Sequence, residues 1–165
     1  WVDSTDSVRI LVHDTGGDGT QYENQIFPFA GTVNVFLPPP DVSWTLDAPV
    51  TVPSADPPDS FATVTMALDG PDGCTVGELY LDYTQDPQGF TYNNEVEYVL
   101  TSPTGTEVVL GRGTAANGNI ESGRFNGTLD FAGEAVDGNW QLLIEDTYGD
   151  GVAVSNLVLS VYCAE

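Results

Sequence analysis

Two acidic loops carry the residues of this sequence that are best suited to chemistry. Each loop holds two aspartates four residues apart, the second of them followed by a glycine: Asp14, Asp18 and Gly19 in one loop, Asp146, Asp150 and Gly151 in the other. Calcium takes about six to eight oxygen ligands, which flexible loops with carboxylates supply. The spacing matches the first, fifth and sixth positions of an EF-hand calcium loop. We therefore predict calcium at one or both loops.

Neither loop is a complete EF-hand loop. The third position is Gly16 in one and Tyr148 in the other, and neither has an acid at the twelfth position. Backbone carbonyls, with Glu23 in the first loop or Glu145 in the second, would have to complete a calcium shell. The alternative is that these aspartates are turn residues whose carboxylates accept hydrogen bonds from nearby backbone amides.

Nucleophilic catalysis finds no support in the sequence. The chain has one histidine, His13, and no Gly-x-Ser-x-Gly motif. A serine nucleophile of the triad type needs a histidine that takes its proton. One histidine and two cysteines also fall short of the nitrogen and sulfur ligands of a closed structural zinc site. We predict no catalytic residues and interpret the chain as a module without enzymatic activity of its own.

The charge balance limits the possible partners. The chain has 25 Asp and Glu residues against 3 Lys and Arg residues, which gives a formal net charge of -22. Phosphates would be repelled, so we expect neither nucleic acid nor an anionic membrane surface as a partner. An adaptation to a salty habitat and a highly soluble secreted surface would each account for the acidity without calcium. No apolar run approaches the ~20 residues that span a bilayer.

The two cysteines, Cys74 and Cys163, predict a single disulfide. A disulfide implies an oxidising compartment, so we expect a secreted or extracytoplasmic protein. Two buried, unpaired thiols are the alternative. The chain begins with Trp1 instead of Met, and we interpret it as a piece of a longer polypeptide.

Short segments with alternating apolar and polar residues fill the chain after its first quarter. They predict strands at 61–68, 78–84, 95–101, 106–110 and 125–131, followed by a hairpin over 138–162. Most of the glycines and prolines lie between these segments, where turns need them. Short strands separated by turn signals predict an all-β fold, an antiparallel two-sheet β-sandwich that is jelly-roll-like.

The first 40 residues form a separate segment in our prediction. Strands at 8–13 and 32–37 are followed by three prolines, Pro38 to Pro40. Residues 9–19 align without gaps to residues 141–151, which places the two acidic loops at equivalent positions. Two explanations of this similarity stay open: the two segments share the same local structure, a strand that ends in a turn, or the first segment is a truncated second copy of a module. Forty residues are too few for an independent core, so the segment either packs on the main domain, 41–165, or is the remnant of a neighbouring module.

The motifs of residues 41–165 resemble those of the P domain, also called the homo B domain. The segment Leu100-Thr101-Ser102-Pro103-Thr104-Gly105-Thr106 is similar to the L-x-S-P-x-G-T motif of that family. Phe131-Ala132-Gly133-Glu134, then Gly138-Asn139-Trp140-Gln141-Leu142, then Asp146 and Gly149-Asp150-Gly151 are similar to its final motifs. The histidine that the family usually has before the first motif is missing here, which leaves open any interface role of that residue.

The resemblance implies a non-catalytic sandwich that follows the catalytic domain of kexin- and furin-like subtilisin proteases. We expect a monomeric accessory module that packs on a protease catalytic domain of the same polypeptide and stabilises it, with structural calcium. The alternative is a carbohydrate- or surface-binding jelly roll of an extracellular enzyme. Trp140 is in phase with core residues, so such a platform would use Trp44 with Tyr80, Phe90 and Tyr92.

Overall fold

The structure of the protein, a computed structural model, describes residues 39–87, 92–114 and 119–164. The chain divides between Pro39 and Pro40, and the described residues after Pro39 belong to the second unit, Pro40–Glu165. The segment predicted over residues 1–40 therefore lies outside the described residues, apart from Pro39 and Pro40. The strands predicted there, at 8–13 and 32–37, stay predictions.

The described residues form two antiparallel sheets, as the alternating segments predicted. The strands are β1 (Val42–Thr45), β2 (Val50–Val52), β3 (Phe61–Leu68), β4 (Val76–Pro87), β5 (Val96–Thr101), β6 (Glu107–Arg112), β7 (Glu121–Asn126), β8 (Gly138–Asp146) and β9 (Val152–Cys163). The five-stranded sheet has the order β1-β9-β4-β7, and β2 also pairs with β9; the four-stranded sheet has the order β3-β8-β5-β6. This arrangement confirms the predicted all-β, two-sheet β-sandwich.

The core lies between the two sheets and is built from alternate residues of each strand. From the four-stranded sheet, β8 contributes Trp140, Leu142 and Ile144, all fully buried. From the five-stranded sheet, β9 contributes Leu157 and Leu159 among others. Each such side chain stabilises the fold by roughly 1.5–3 kcal/mol relative to an exposed position.

The predicted hairpin over 138–162 is wrong, because its two strands do not pair with each other. The strand β8 pairs with β3 and β5, whereas β9 pairs with β1, β2 and β4. The acidic loop between them therefore connects the two sheets at one end of the sandwich. Two strands that face the same core from opposite sheets show the same alternation as the two strands of a hairpin, so periodicity could not distinguish these arrangements.

The strand predicted at 125–131 is also wrong in its second half. The strand β7 ends at Asn126, and a short helix α1 (Thr128–Phe131) follows. The backbone turns at Gly127, whose carbonyl accepts hydrogen bonds from the amides of Asp130 and Phe131, both 3.2 Å. As a result Leu129 is 91% exposed while Phe131 is buried. A helical turn thus replaces the extended backbone that the alternation suggested.

The predicted disulfide is present in the structure. Cys74 and Cys163 are joined with an S–S distance of 2.02 Å and are 89 residues apart in sequence. The bond ties the segment before β4 to the last residue of β9, at the end of the sandwich opposite the acidic loop. Among the described residues, no helix has the length and apolar character needed to cross a membrane.

Candidate functional site

The Ser-Pro-x-Gly-Thr motif forms the turn between β5 and β6. The amide of Ser102 donates to the carbonyl of Thr106 over 2.9 Å, and the amide of Gly105 donates to the carbonyl of Ser102 over 3.0 Å. Gly105 has a φ of +92°, which favours glycine. The hydroxyl of Ser102, which is buried, also accepts the amide of Thr106 over 3.2 Å. The motif is therefore explained by the geometry of one turn.

The Gly-Glu motif contacts this turn from the loop before β8. The hydroxyl of Thr104 donates to Oε2 of Glu134 over 2.7 Å. Partial burial alone would raise the pKa of Glu134, but hydrogen bonds from the side chains of Ser102, Thr104 and Thr106 outweigh it and hold the pKa below its usual value. Glu134 is therefore ionised, and it links the loop before β8 to the turn between β5 and β6 at the end of the sandwich.

The Gly-x-Trp-x-Leu motif joins the same cluster. A Cβ atom at Gly138 would lie 2.8 Å from the Cβ of Pro103, so this close approach requires glycine. Two residues later Trp140 is fully buried, and its indole N–H donates to the carbonyl of Val136 over 2.9 Å. Its ring packs edge-on against Phe131 with centroids 5.2 Å apart. These motifs are far apart in sequence, but they meet at one end of the sandwich and stabilise that end.

The acidic loop lies at the opposite end and is organised by Asp146. This carboxylate is fully buried and accepts the amide of Tyr148 over 3.1 Å and the amide of Gly151 over 2.7 Å. The backbone amide of Asp146 donates to the carbonyl of Ser60 over 2.9 Å. Charge-assisted hydrogen bonds of this kind are among the stronger ones in proteins. Asp146 therefore has the turn-forming role that the sequence offered as the alternative to calcium binding.

The rest of the acidic loop is fixed by backbone contacts to neighbouring segments. The amide of Ala55 donates to the carbonyl of Gly149 over 3.0 Å. Gly149 has a φ of +84°, and a Cβ atom there would overlap the carbonyl oxygen of Ala55. The amide and hydroxyl of Thr147 donate to the carbonyl of Glu95 over 3.1 and 2.9 Å. The loop is thereby attached to the segment between β2 and β3 and to the residue before β5.

The residues predicted to bind calcium are only partly brought together. Asp14, Asp18 and Glu23 lie outside the described residues. Glu145 lies on the outer face of its sheet, paired with Phe61, whereas the next residue, Asp146, points inward; Asp150 is exposed. In the parts of the chain that the structure describes, no three His, Cys, Asp or Glu side chains group to hold a metal ion. Asp146 and Glu145 thus do not share a site, and calcium stays a prediction.

A buried polar cluster between the sheets was not predicted from the sequence. The hydroxyl of Tyr98 donates to Oε1 of Gln85 over 2.8 Å, and Nε2 of Gln85 donates to the carbonyl of Asn93 over 3.1 Å. Burial raises the pKa of Tyr98, so its hydroxyl stays protonated and available as a donor. A tyrosine in phase with core residues signals that its hydroxyl needs a buried partner. No local pattern indicated that Gln85 would be that partner.

Two residues of the suggested carbohydrate platform, Trp44 and Tyr80, lie on opposite faces of one sheet. Trp44 pairs with Leu159 and packs against the core. Tyr80 pairs with Ser160 and lies on the opposite, outer face of the same sheet, where the guanidinium of Arg124 lies 5.3 Å from its ring centroid. Phe90 lies outside the described residues. Trp44 and Tyr80 therefore cannot stack on the same sugar.

The described residues contain no histidine, because the one histidine of the chain, His13, precedes them. The structure accounts for the motif residues at both ends of the sandwich through turns, buried hydrogen bonds and close backbone contacts.

Comparison with known proteins agrees with this architecture. Residues 89–158 match the family model of the proprotein convertase P-domain. The matched stretch runs from just before β5 into β9 and includes the motifs at both ends of the sandwich. No curated protein matches the chain. Over residues 89–158 this match confirms the P-domain family that the sequence motifs indicated.

Proposed function

We propose that this chain is the accessory P domain of a secreted subtilisin-like serine protease and that it packs on the catalytic domain of the same polypeptide and stabilises it. The match of residues 89–158 to the proprotein convertase P-domain carries this proposal. P domains of this family are non-catalytic accessory domains of subtilisin-like convertases. Such a domain acts by contact, since interactions with the native state of a neighbour raise its stability.

Two features of the chain support this role. The motif residues Thr104, Glu134 and Trp140 brace the sandwich itself, which suits a rigid module that serves as a support. The disulfide between Cys74 and Cys163 suits an oxidising compartment, in line with secretion.

We propose further, from the sequence pattern alone, that calcium stiffens the acidic loops. Both carboxylate oxygens of Asp146 accept hydrogen bonds from backbone amides. Calcium at the second loop would therefore rely on Asp150 and backbone carbonyls.

A serine-directed fluorophosphonate probe tests the assignment. The polypeptide that contains this chain should be labelled at a serine outside residues 1–165, and the purified chain should not be labelled at all. Heat-denatured polypeptide is the control for non-specific labelling. A polypeptide with no probe-reactive serine would contradict the protease assignment, and labelling of the isolated chain would contradict its non-catalytic role.

A further inference from the structure

One asparagine of the chain lies in a sequence that can accept an N-linked sugar. Asn126-Gly127-Thr128 matches the pattern Asn-x-Ser/Thr, in which the middle residue is not proline. No other asparagine of the sequence is followed two positions later by serine or threonine. The motif lies where β7 ends and α1 begins. Its use as an acceptor depends on how the fold presents the side chain of Asn126.

The fold leaves Asn126 accessible at the edge of a sheet. The residue before it, Phe125, pairs with the fully buried Leu81, whereas Asn126 pairs with Tyr80 on the outer face. Asn126 is exposed, and β7 is the last strand in the order β1-β9-β4-β7. A bulky substituent on this side chain would therefore project into solvent without displacing a neighbouring strand.

A hydrogen bond within the turn fixes the orientation of the side-chain amide. The backbone amide of Thr128 donates to Oδ1 of Asn126 over 2.9 Å. Because a backbone amide can donate only to the oxygen of the side-chain amide, this contact decides which side-chain atom is the nitrogen. Nδ2 of Asn126 has no hydrogen-bond partner among the described residues. The atom to which a sugar would be attached is therefore not engaged in the fold.

The turn itself does not need an asparagine at this position. At Asp146 the same local contact is made by a carboxylate, whose Oδ1 accepts the amide of Tyr148, two residues later, over 3.1 Å. An ionised acceptor makes the stronger hydrogen bond, and acidic residues are abundant in this chain, with 25 Asp and Glu. The group that asparagine adds over aspartate at position 126 is Nδ2, which the fold does not use.

The threonine of the motif is tied to β4 in the folded domain. The hydroxyl of Thr128 accepts the amide of Leu79 over 3.0 Å and donates to the carbonyl of Leu79 over 3.4 Å. The amide of Gly127 donates to the same carbonyl over 3.1 Å. An enzyme that reads the threonine hydroxyl must therefore act before β7 pairs with β4.

We propose that Asn126 carries an N-linked glycan, which is attached as the chain is exported and before the domain folds. The inference goes beyond the proposed function and shares with it only the export of the chain, which the disulfide supports. A hydrated glycan at this position would keep the free edge of β7 in solvent and block its pairing with another strand.

The sugar donor of this reaction is an oligosaccharide linked through phosphate to a membrane lipid, and a membrane-bound transferase catalyses the transfer. Nδ2 of Asn126 forms a bond to the anomeric carbon of the first sugar. The bond between that carbon and the phosphate oxygen breaks, and the lipid phosphate leaves with the bonding electron pair. Nδ2 releases one proton, so the product is a neutral glycosylated amide.

Glycopeptide mass spectrometry of the polypeptide from its native source tests the site. Cleavage after glutamate gives the peptide 122–134, which contains Asn126, and the peptide 135–145, which contains Asn139. Asn139 is also exposed, but Gln141 stands where the motif needs a hydroxyl residue, so the second peptide is the internal control. We expect the peptide 122–134 to carry the added mass of a glycan, with sugar ions in its fragment spectrum, and the peptide 135–145 to be unmodified.

The attached sugar itself is the readout, because Asn-Gly sequences can convert to aspartate without an enzyme. A peptide 122–134 found only without sugar would overturn the glycan at Asn126 and leave intact the protease assignment, which the serine-directed probe tests. Sugar on both peptides would also overturn the inference, because attachment would then not follow the motif.

Two variants secreted by a eukaryotic host separate the motif from the turn. Asn126→Asp keeps an acceptor for the amide of Thr128 and removes Nδ2, whereas Thr128→Ser keeps the hydroxyl and the motif. We expect the wild type and T128S to carry sugar, and N126D to be secreted in a folded form without it. Sugar retained on N126D, or a wild type secreted without sugar by this host, would contradict Asn126 as the attachment site.

Discussion

The hydroxyl of Thr104 donates a 2.7 Å hydrogen bond to the carboxylate of Glu134, 30 residues further along the chain. The bond joins the Ser-Pro-x-Gly-Thr turn to the Gly-Glu segment before β8. Two of the motifs that identify the family are thus in direct contact, and their shared role is to close one end of the sandwich. This contact gives Thr104 and Glu134 a structural role.

The low pKa of Glu134 makes its contribution to stability depend on pH. Because the folded-state pKa lies below the unfolded value near 4.5, the stabilisation is fully present above that value and is lost as the pH falls through the folded-state pKa. Glu134→Gln should therefore lower the melting temperature at pH 6–7 and make progressively less difference below about pH 4.5. Melting from pH 3 to pH 7 measures this, with Glu107→Gln on the exposed side of β6 as the control. A difference between wild type and E134Q that is the same at every pH would contradict this role of Glu134.

Asp146 should be necessary for the fold whether or not calcium is present. Asp146→Ala leaves two backbone amides of the loop without their acceptor, which should lower the free energy of unfolding by about 2–4 kcal/mol. The control is Asp150→Ala, which removes an exposed carboxylate four residues away and should change stability by less than about 0.5 kcal/mol. Urea denaturation in EDTA compares the two variants. Equal effects in EDTA would show that Asp146 does not have the structural role assigned to it.

Alanine substitutions at two glycines with positive φ, Gly105 and Gly149, distinguish the stability cost of backbone strain from that of steric overlap. Alanine at Gly105, where no atom lies within 4 Å of the added Cβ, should cost about 1–2 kcal/mol from strain alone. Alanine at Gly149 adds the overlap with the carbonyl of Ala55 and should cost at least about 2 kcal/mol more. Equilibrium unfolding of G105A and G149A gives both values. If G149A is as stable as G105A, the loop does not pack on Ala55 as described.

Melting in calcium and in EDTA at a fixed high salt concentration tests the calcium proposal. Constant salt keeps screening of the net charge equal in both samples. The proposal expects a higher melting temperature with calcium but not with magnesium, by an amount that corresponds to ~2.7 kcal/mol at a hundredfold excess over Kd. Asp150→Ala should reduce the part of this increase that comes from the second loop. The same melting temperature in calcium and EDTA would leave the acidic loops as structural turns only.

The sequence predicted the strands well because one face of each strand is buried. The segment predicted at 61–68 coincides with β3, and the one at 95–101 differs from β5 by one residue. Met66 of β3 and Trp140 of β8 face the core, as their alternation with polar residues predicted. Burial of alternate residues is a local property, so it leaves a local signal.

The choice of sheet and the contacts between motifs left no such signal. Whether β9 pairs with β8 or with β4 depends on strands far apart in sequence, and both arrangements bury Leu157 and Leu159 equally well. The pairing of Thr104 with Glu134 and of Tyr98 with Gln85 likewise depends on the finished fold.

The central claim is that this domain stabilises a neighbouring catalytic domain, and thermal inactivation tests it most directly. Peptidase activity of the whole polypeptide should be compared with that of a form from which residues 40–165 have been removed after folding by a site-specific protease. We predict that the form without the domain loses activity at least several-fold faster at an elevated temperature. Equal half-lives for the two forms would contradict the claim.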